Sequence, residues 1–184
     1  GVDLKILNVD VLSNKLVTDN PVNRCYYCKQ GVFGTILEAA KNDGMTVILD
    51  GTNASDDADD RPGMKALQEM KVLSPLRMCG YVKSEIRKQS KEAGLFVYNK
   101  PSYACLATRI PTGTEIDEEK IKQVETAETF LFDLGFSDFR VRWMDNKAKI
   151  QMPESRLQAL MEKREVVLEE LLKIFDEVLL DLKT

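Results

Sequence analysis

Three cysteines offer the strongest chemical signal in this sequence. Cys25 and Cys28 are separated by two tyrosines, and Cys105 lies in the irregular segment KPSYACLATRIP. Two thiols three positions apart can bind one metal ion or exchange a disulfide. Because two cysteines do not complete a tetrahedral site, a third ligand must come from elsewhere, and Cys105 is the candidate. Buried structural cysteines are the alternative interpretation at all three positions.

The neighbours of Cys105 suit a reactive or metal-ligating thiol. Ser102, Thr108 and Arg109 lie close to it in the sequence, and a nearby cation favours the thiolate. Cys79, in LRMCGY, has no comparable surroundings, and we interpret it as a packed thiol.

The composition limits the chemistry that these residues can perform. The 184 residues contain no histidine, which excludes Ser-His-Asp and Cys-His catalysis and any His-ligated metal site within this chain. A net charge of -4 provides no overall basic field for nucleic acid. GVDLKILNVD, at the start, has neither the basic nor the apolar region of an export signal. We expect a cytoplasmic protein with reduced cysteines that binds neither membrane nor nucleic acid.

The first half of the chain predicts strands and helices in alternation. Apolar runs at 4–12 and 45–53 predict two strands, and residues 31–41 between them predict a helix. This strand-helix-strand order favours a parallel sheet with a right-handed crossover. Two more helices are predicted at 62–70 and 82–93.

The second half predicts an α-β-β-α-β unit after an irregular segment at 98–115. That segment contains two prolines and is the best candidate for both a domain boundary and an active-site loop. The elements predicted beyond it are an amphipathic helix over 117–134 ended by Gly135, a hairpin of FRVRWM and KAKIQM turning at Asp145-Asn146, a long helix over 153–175 and a final strand EVLLDL.

A polar loop, Asp50-Gly51-Thr52-Asn53, follows the second predicted strand. Open α/β sheets bind ligands at the carboxyl ends of their strands. Gly51 lets the backbone approach a phosphate, while Thr52 and Asn53 supply polar donors. Turns favour the same residue types, so an ordinary turn is the alternative. The acidic cluster that follows is interpreted either as a magnesium site or as a solvated charge run, and it comprises Asp56, Asp57, Asp59 and Asp60.

Two arginines in the predicted hairpin form a candidate anion site. Arg140 and Arg142 project from the same strand face because side chains alternate, and Lys147 and Lys149 extend this face on the partner strand. Such a pair can bind a phosphate or a dicarboxylate. The alternative is the solvent-exposed side of a half-buried sheet.

These motifs occur together in the order typical of one family. NPVNRCYYCK at 20–29, DGTNASDDADDRPG at 50–63, KPSYACLATRIP at 100–111 and FRVRW at 139–143 resemble the LarE family of PP-loop ATP pyrophosphatases. The resemblance covers nearly the whole chain. It implies an α/β fold: an incomplete Rossmann-like domain of the adenine nucleotide alpha hydrolase type at 1–113, then a small α+β domain at 114–184 for substrate binding and oligomerisation. The PP-loop is not in this sequence, so we expect it to have been removed or to be supplied by a separate chain.

The resemblance also implies a chemistry. LarE proteins use ATP and Mg²⁺ to adenylylate a carboxylate of a pyridinium dicarboxylate mononucleotide and then convert it to a thiocarboxylate, on the route to the nickel-pincer cofactor. Cys105 matches the sulfur-donating cysteine, which becomes dehydroalanine in sacrificial members of the family. Further roles implied are a [4Fe-4S] cluster on Cys25, Cys28 and Cys105, substrate-phosphate binding by Arg140 and Arg142, other cofactor contacts by Asp50, Gly51, Thr52, Asn53 and Arg109, and an acidic metal ligand at Glu128.

Two other functions stay open at this point. A tRNA-thiolating PP-loop enzyme would need a basic RNA-binding surface, which the net charge disfavours. A non-catalytic iron-sulfur or assembly module would neither consume ATP nor transfer sulfur. We expect a small-molecule mononucleotide substrate and a homo-oligomer, and we expect ATP hydrolysis to require more than these 184 residues.

Overall fold

The chain forms two compact units, Gly1–Lys100 and Pro101–Thr184. The structure is a computed structural model that describes residues 3–56 and 62–182. The division falls inside the predicted irregular segment, and residues 101–113, which the sequence analysis grouped with the first domain, here belong to the second unit. Arg109 in this stretch binds Glu128 of the second unit, which accounts for the placement.

The described part of the first unit is built mainly from helices. In chain order they are α1 (Lys15–Thr18), α2 (Arg24–Asn42), α3 (Pro62–Glu69), α4 (Pro75–Met78) and α5 (Lys83–Glu92). A small apolar core of Met64, Leu67 and Val72 forms around α3, with Phe33 of α2 packed against it. The predicted helices at 62–70 and 82–93 are confirmed, and Gly94, with φ of +71°, follows the end of α5.

Helix α2 begins earlier than the sequence predicted. It starts at Arg24 rather than Gly31, so the two cysteines of CYYC lie inside the helix and not before it. Backbone hydrogen bonds from Arg24 to Pro21 and from Tyr26 to Asn23 lead the chain into the first turn. The prediction was wrong because it took Gly31 as a boundary, whereas a glycine in a helix interior is unfavourable but tolerated.

The two strands predicted in the first unit do not form. Residues 4–12 contain no strand, and the 45–53 stretch makes only one isolated parallel bridge, between Leu49 and Leu73. A strand needs a hydrogen-bonded neighbour along its length, and among the described residues only Leu73 supplies one, to Ile48 and Asp50. The side chains of Leu4 and Ile6 accordingly stay exposed. The α/β class holds for the chain, but a Rossmann-like sheet is not confirmed.

The second unit contains a three-stranded sheet with helices. Its elements are a 3₁₀ helix (Leu106–Arg109), α6 (Glu118–Asp133), β1 (Arg140–Met144), β2 (Lys147–Gln151), α7 (Glu154–Glu162), α8 (Arg164–Leu171) and β3 (Glu177–Leu180). The strand order is β1-β2-β3, with β1 and β2 antiparallel and β2 and β3 parallel. Helices α7 and α8 form the crossover that a parallel pair requires.

Local signals account for most of this unit. The Asp117 side chain accepts a hydrogen bond from the Lys120 backbone at 2.8 Å and caps α6, and Gly135, with φ of +89°, ends it. Asp145 and Asn146 both have positive φ, as a type I′ hairpin turn requires. The predicted helix, hairpin and last strand are therefore confirmed.

The long helix predicted over 153–175 is interrupted. Lys163, with φ of -103° and ψ of 13°, separates α7 from α8. From this position the Lys163 ammonium donates to the Leu134 carbonyl at 2.7 Å and lies 5.6 Å from the centre of the Phe136 ring. The single-helix prediction was wrong because it used only the local spacing of apolar residues. That spacing does not show the tertiary contacts of Lys163 with Leu134 and Phe136.

The core of the second unit draws on all its α-helices and on β1 and β2, and Val178 and Leu180 of β3 pack against it partly buried. Its fully buried members come from α6, β1, β2, α7, α8 and the adjoining loops, and they are Ala127, Leu131, Phe136, Phe139, Val141, Ala148, Ile150, Met152, Leu160, Val167, Leu171 and Phe175. No helix within 3–56 or 62–182 combines the length and apolar character needed to cross a bilayer.

Two adjacent leucines test this core. Leu171 is fully buried, whereas Leu172 is 50% exposed. We expect Leu171→Ala to lower the free energy of unfolding by about 2 to 5 kcal/mol, because it leaves a cavity. Leu172→Ala, the matched control, should change it by about 0.5 kcal/mol or less. Denaturant titration followed by the fluorescence of Trp143, the single tryptophan, reports on this unit. Equal losses for the two variants would contradict the assigned core.

Candidate active site

A buried ion pair lies beneath the loop that carries Cys105. Helix α6 places the Glu128 carboxylate, with none of it exposed, against the Arg109 guanidinium, which is 1% exposed. Arg109 donates to both carboxylate oxygens, from Nε at 2.7 Å and from Nη2 at 3.0 Å. Glu128 also accepts from the Val141 backbone at 2.9 Å and from the Tyr103 hydroxyl at 2.5 Å. These four hydrogen bonds offset the cost of burying its charge.

The third nitrogen of Arg109 reaches the backbone around Cys105. Nη1 donates to the Ala104 carbonyl at 3.3 Å and to the Thr108 hydroxyl at 2.9 Å. The Thr108 hydroxyl donates in turn to the Cys105 carbonyl at 2.7 Å, and the Thr108 backbone donates to the same oxygen at 2.9 Å. A single guanidinium therefore connects α6 to both sides of Cys105.

Arg140 and Arg142 lie on one face of β1, as the alternation predicted. Val141 between them is fully buried. Arg140 Nη2 donates to the Ser102 carbonyl at 2.9 Å, and Arg142 Nη1 donates to the Thr108 carbonyl. The two arginines thus bind the loop on either side of Cys105, which is itself exposed. Partial burial, reinforced by the charges of Arg109 and Arg140, lowers the pKa of Arg142.

The basic face continues onto β2 but is offset by carboxylates. Lys149 is the direct cross-strand partner of Arg142. Its ammonium lies 2.7 Å from Asp181, and Lys147 lies 2.8 Å from Glu177. The excess positive charge of this face is therefore concentrated at Arg140 and Arg142, next to the Cys105 loop.

The CYYC pair lies within the first two turns of α2. Cys25 and Cys28 are three positions apart, which puts them on the same side of the helix. Cys25 is exposed, Cys28 is half-buried, and neither forms a disulfide. Two thiols in this arrangement can ligate one metal centre, since their side chains project in similar directions.

A cavity of about 450 Å³ brings Cys25 together with the predicted polar loop. Its wall includes Cys25, Lys29, Gly51 and Thr52. Lys29 was missed by the sequence analysis: it lies one helical turn after Cys25, a relation that appears only once α2 is known to begin at Arg24. A Cβ at Gly63 would lie 3.0 Å from Lys29 Cδ, so glycine leaves room for this lysine.

The loop that follows Leu49 is held by its own polar groups. Asp50 accepts hydrogen bonds from the Thr52 hydroxyl and the Ser74 hydroxyl, both at 2.6 Å. Burial acts to raise the pKa of Asp50, but the hydrogen bonds from Ser74 and Thr52 and the charge of Lys29 outweigh it and hold the pKa below its usual range. An ionised Asp50 therefore faces the same region as the Lys29 ammonium.

The predicted metal ligands divide between the two units. Cys25 and Cys28 belong to the first, and Cys105 and Glu128 belong to the second. Within the described ranges, no group of three or more Cys, Asp or Glu side chains suited to a metal ion occurs. Asp56 accepts a hydrogen bond from the Asn53 amide at 3.0 Å. The rest of the acidic cluster, Asp57, Asp59 and Asp60, lies outside the described residues. All these metal assignments stay predictions.

The second unit thus presents an exposed thiol on a loop that two arginines of β1 bind, and comparisons with known proteins give the chain its relatives. The chain matches no protein-family model. It is 36% identical over 175 residues to an uncharacterised protein of Synechocystis, covering 95% of this chain and 65% of that protein. It is 30% identical over 167 residues to an uncharacterised protein of Methanocaldococcus jannaschii, covering 91% of this chain and 64% of that protein.

One relative has a chemical name. The chain is 33% identical over 157 residues to pyridinium-3,5-bisthiocarboxylic acid mononucleotide synthase of Lactiplantibacillus plantarum, covering 85% of this chain and 57% of that protein. This similarity supports the resemblance to the LarE family. The chain spans 57% to 65% of the length of these three relatives.

The pKa of Tyr103 depends on its contact with the buried pair. Its ring lies 5.1 Å from the Arg109 guanidinium carbon and 6.0 Å from that of Arg140. Desolvation by burial, together with the hydrogen bond to Glu128 and the negative charge of that carboxylate, raises the pKa of Tyr103 to about 12. The two arginines act in the opposite direction but are outweighed.

This raised pKa predicts a stability change at alkaline pH. An unfolded tyrosine titrates near pH 10, so the contribution of Tyr103 is fully present below about pH 10 and is lost as the pH rises to about 12. Unfolding of wild type and Tyr103→Phe, followed by Trp143 fluorescence, should give stabilities that converge over this range. The effect should be small, because 48% of Tyr103 is exposed. A constant difference between the two proteins from about pH 9 to about pH 12 would contradict it.

Proposed function

We propose that this chain acts in an ATP-dependent sulfur transferase of the LarE type. The reaction converts a pyridinium carboxylate mononucleotide to a thiocarboxylate during synthesis of the nickel-pincer cofactor. The observation that carries the proposal is the exposed Cys105 in a loop bound on both sides by Arg140 and Arg142. The similarity to the named mononucleotide synthase supports the same chemistry.

Substrate binding is assigned to the two arginines on β1. Both guanidinium groups project from one face of β1 beside the exposed Cys105, where they can bind a substrate phosphate. Guanidinium groups suit this task because they offer paired donors to phosphate oxygens. Arg140 Nη2 and Arg142 Nη1 also bind the Cys105 loop, so a mononucleotide bound by these arginines would lie near the thiol.

Sulfur transfer is assigned to Cys105. Its thiolate attacks the adenylylated carbonyl carbon, the bond to the AMP oxygen breaks, and a thioester forms. In the sacrificial form of the reaction, the Cys105 Cα proton is lost and the Cβ–Sγ bond breaks. The sulfur leaves on the substrate as a thiocarboxylate, and dehydroalanine stays in the chain. Each step conserves atoms and needs no external oxidant or reductant.

Nucleotide activation is assigned to the first unit. The Asp50 to Asn53 loop and Lys29 border a cavity of about 450 Å³, which offers an ammonium group and polar donors to ATP with Mg²⁺. The chain spans only part of its relatives, and ATP turnover, homo-oligomerisation and a cytoplasmic location are further parts of this proposal.

A [4Fe-4S] cluster on Cys25, Cys28 and Cys105 is the cluster-dependent version of the proposal. The chemistry of the donors supports it, because all three are thiols outside disulfides and two lie on one side of α2. With three protein ligands, such a cluster has an open iron that can carry an extra sulfide, so Cys105 would not be consumed. A metal at Glu128 would have to displace one of the four hydrogen bonds that this carboxylate accepts.

Replacing the thiol tests the sulfur transfer. Using the full-length protein with ATP and the mononucleotide, we expect Cys105→Ala to abolish thiocarboxylate formation, measured by mass spectrometry of the product. Cys79→Ala is the matched control and should keep the wild-type rate, since nothing in the site involves Cys79. Wild-type sulfur transfer by Cys105→Ala would overturn the proposed function.

Anaerobic reconstitution tests the cluster. After treatment with iron and sulfide, the wild type and Cys79→Ala should show [4Fe-4S] absorption and matching iron contents. Cys25→Ala, Cys28→Ala and Cys105→Ala should each lose the signal, because each removes one ligand. If the wild type binds no cluster, the cluster-dependent version fails, and Cys105 is left as the sacrificial donor.

A further inference from the structure

A continuous chain of contacts leads from the core to the backbone of Cys105. Glu128 of α6 holds Arg109, Arg109 donates to the Thr108 hydroxyl at 2.9 Å, and that hydroxyl donates to the Cys105 carbonyl at 2.7 Å. Arg109 and Glu128 are both fully buried, so this chain starts from a rigid point of the second unit. Sulfur transfer as described above uses none of these contacts directly.

We propose that Arg109 and Thr108 are positioning residues that set the direction in which the Cys105 thiol faces the Arg140–Arg142 pair. This inference rests on the proposed function, because it assigns Cys105 and the two arginines to the same reaction. Arg109 was predicted from the family resemblance to contact a cofactor. Its guanidinium instead has all three nitrogens engaged within the second unit, which suits a positioning role.

The position of Thr108 explains how one residue can orient the thiol. Its backbone N–H and its hydroxyl both donate to the Cys105 carbonyl, so the peptide plane after Cys105 is held at two points. Its own carbonyl accepts from Arg142. Thr108 therefore links Arg142, which is proposed to bind phosphate, with Cys105, which is proposed to carry sulfur. Its hydroxyl group is the part that accepts a hydrogen bond from Arg109.

A charge-sensitive alkylation assay can measure this orientation. In a chain with Cys25→Ser, Cys28→Ser and Cys79→Ser, Cys105 is the only thiol left of the four. Iodoacetate is anionic and iodoacetamide is neutral, so the ratio of their alkylation rates reports how closely the thiol faces the positive charges of Arg140 and Arg142. A change in the accessibility of the thiol alone changes both rates together and leaves the ratio nearly unchanged.

A matched pair of substitutions at Thr108 isolates the hydroxyl. Thr108→Val removes the donor to Cys105 and the acceptor for Arg109, and we expect the iodoacetate-to-iodoacetamide ratio to fall on the order of threefold, as for loss of one exposed charge contact. Thr108→Ser keeps the hydroxyl and should restore the ratio. The proposal is overturned if Thr108→Val gives the same ratio as the chain that keeps Thr108. It is also overturned if the ratio of Thr108→Ser is as low as that of Thr108→Val.

A second comparison addresses Arg109 itself. Arg109→Lys keeps the charge beside Glu128 but cannot supply the three-nitrogen fork, so it should lower the ratio as Thr108→Val does. The control is Arg156→Lys, at an exposed position of α7, which should leave the ratio unchanged. Should Arg109→Lys fail to fold, judged by Trp143 fluorescence, the Thr108 pair decides the question alone.

The assay separates this inference from the proposed function. Alkylation needs neither ATP nor substrate, so positioning is tested even if Cys105→Ala still transfers sulfur and the proposed function fails. If both stand, Thr108→Val in the full-length enzyme should lower kcat with little change in KM, because the substitution keeps Arg140, Arg142 and the Thr108 carbonyl that Arg142 binds. A rise in KM with unchanged kcat would place Thr108 in substrate binding and overturn the positioning role.

Discussion

The buried pairing of Arg109 with Glu128 is the interaction on which the Cys105 loop depends. Moving two opposite charges out of water costs several kcal/mol per ion, and the pair is tolerated only where its remaining hydrogen-bonding groups are satisfied. Here they are satisfied by Val141, Tyr103 and the backbone around Cys105. The requirement acts in both directions: the loop satisfies the buried charges, and the buried charges hold the loop in one conformation.

This arrangement places an exposed thiol on a loop that is bound at several points to the second unit. Helix α6 and strand β1, which carry Glu128, Arg140 and Arg142, belong to the main core of the second unit. Three guanidinium groups then donate to carbonyl oxygens between Ser102 and Thr108. The exposed thiol is thereby held by groups that are themselves held by the core, which is the condition for precise chemistry on an irregular segment.

The first unit follows a different principle. Its cavity combines a thiol and an ammonium from α2 with a polar loop whose carboxylate and hydroxyl groups bind one another. The apolar segments that precede and follow α2 remain largely exposed, as Leu4, Ile6 and Val47 show. The helical pair α2 and α3 therefore supplies the small core of this unit, and the loop after Leu49 is held mainly by polar contacts to the residues around Ser74 and Tyr81.

The sequence by itself determined the features that depend on neighbours a few residues apart. The cap at Asp117, the turn at Asp145-Asn146 and the shared face of Arg140 and Arg142 all follow from local rules of capping, turn geometry and strand alternation. Cys105 and its loop were singled out differently, by the spacing of the cysteines, the irregular segment around Cys105 and the family resemblance. The local rules could not set the start of α2, because Gly31 resembles a boundary in the sequence although Arg24 begins the helix.

Only the tertiary structure decided the contacts between distant residues. Arg109 and Glu128 are 19 positions apart, and nothing in local periodicity pairs them; the packing of α6 beneath the loop does. The break at Lys163 reflects contacts of its side chain to Leu134 and Phe136. The absence of strands at 4–12 and 45–53 reflects the lack of a continuous hydrogen-bonded neighbour among the described residues. Capping and alternation act within one or two turns of chain, whereas ion pairing, helix breaks and strand formation depend on which segments the fold brings together.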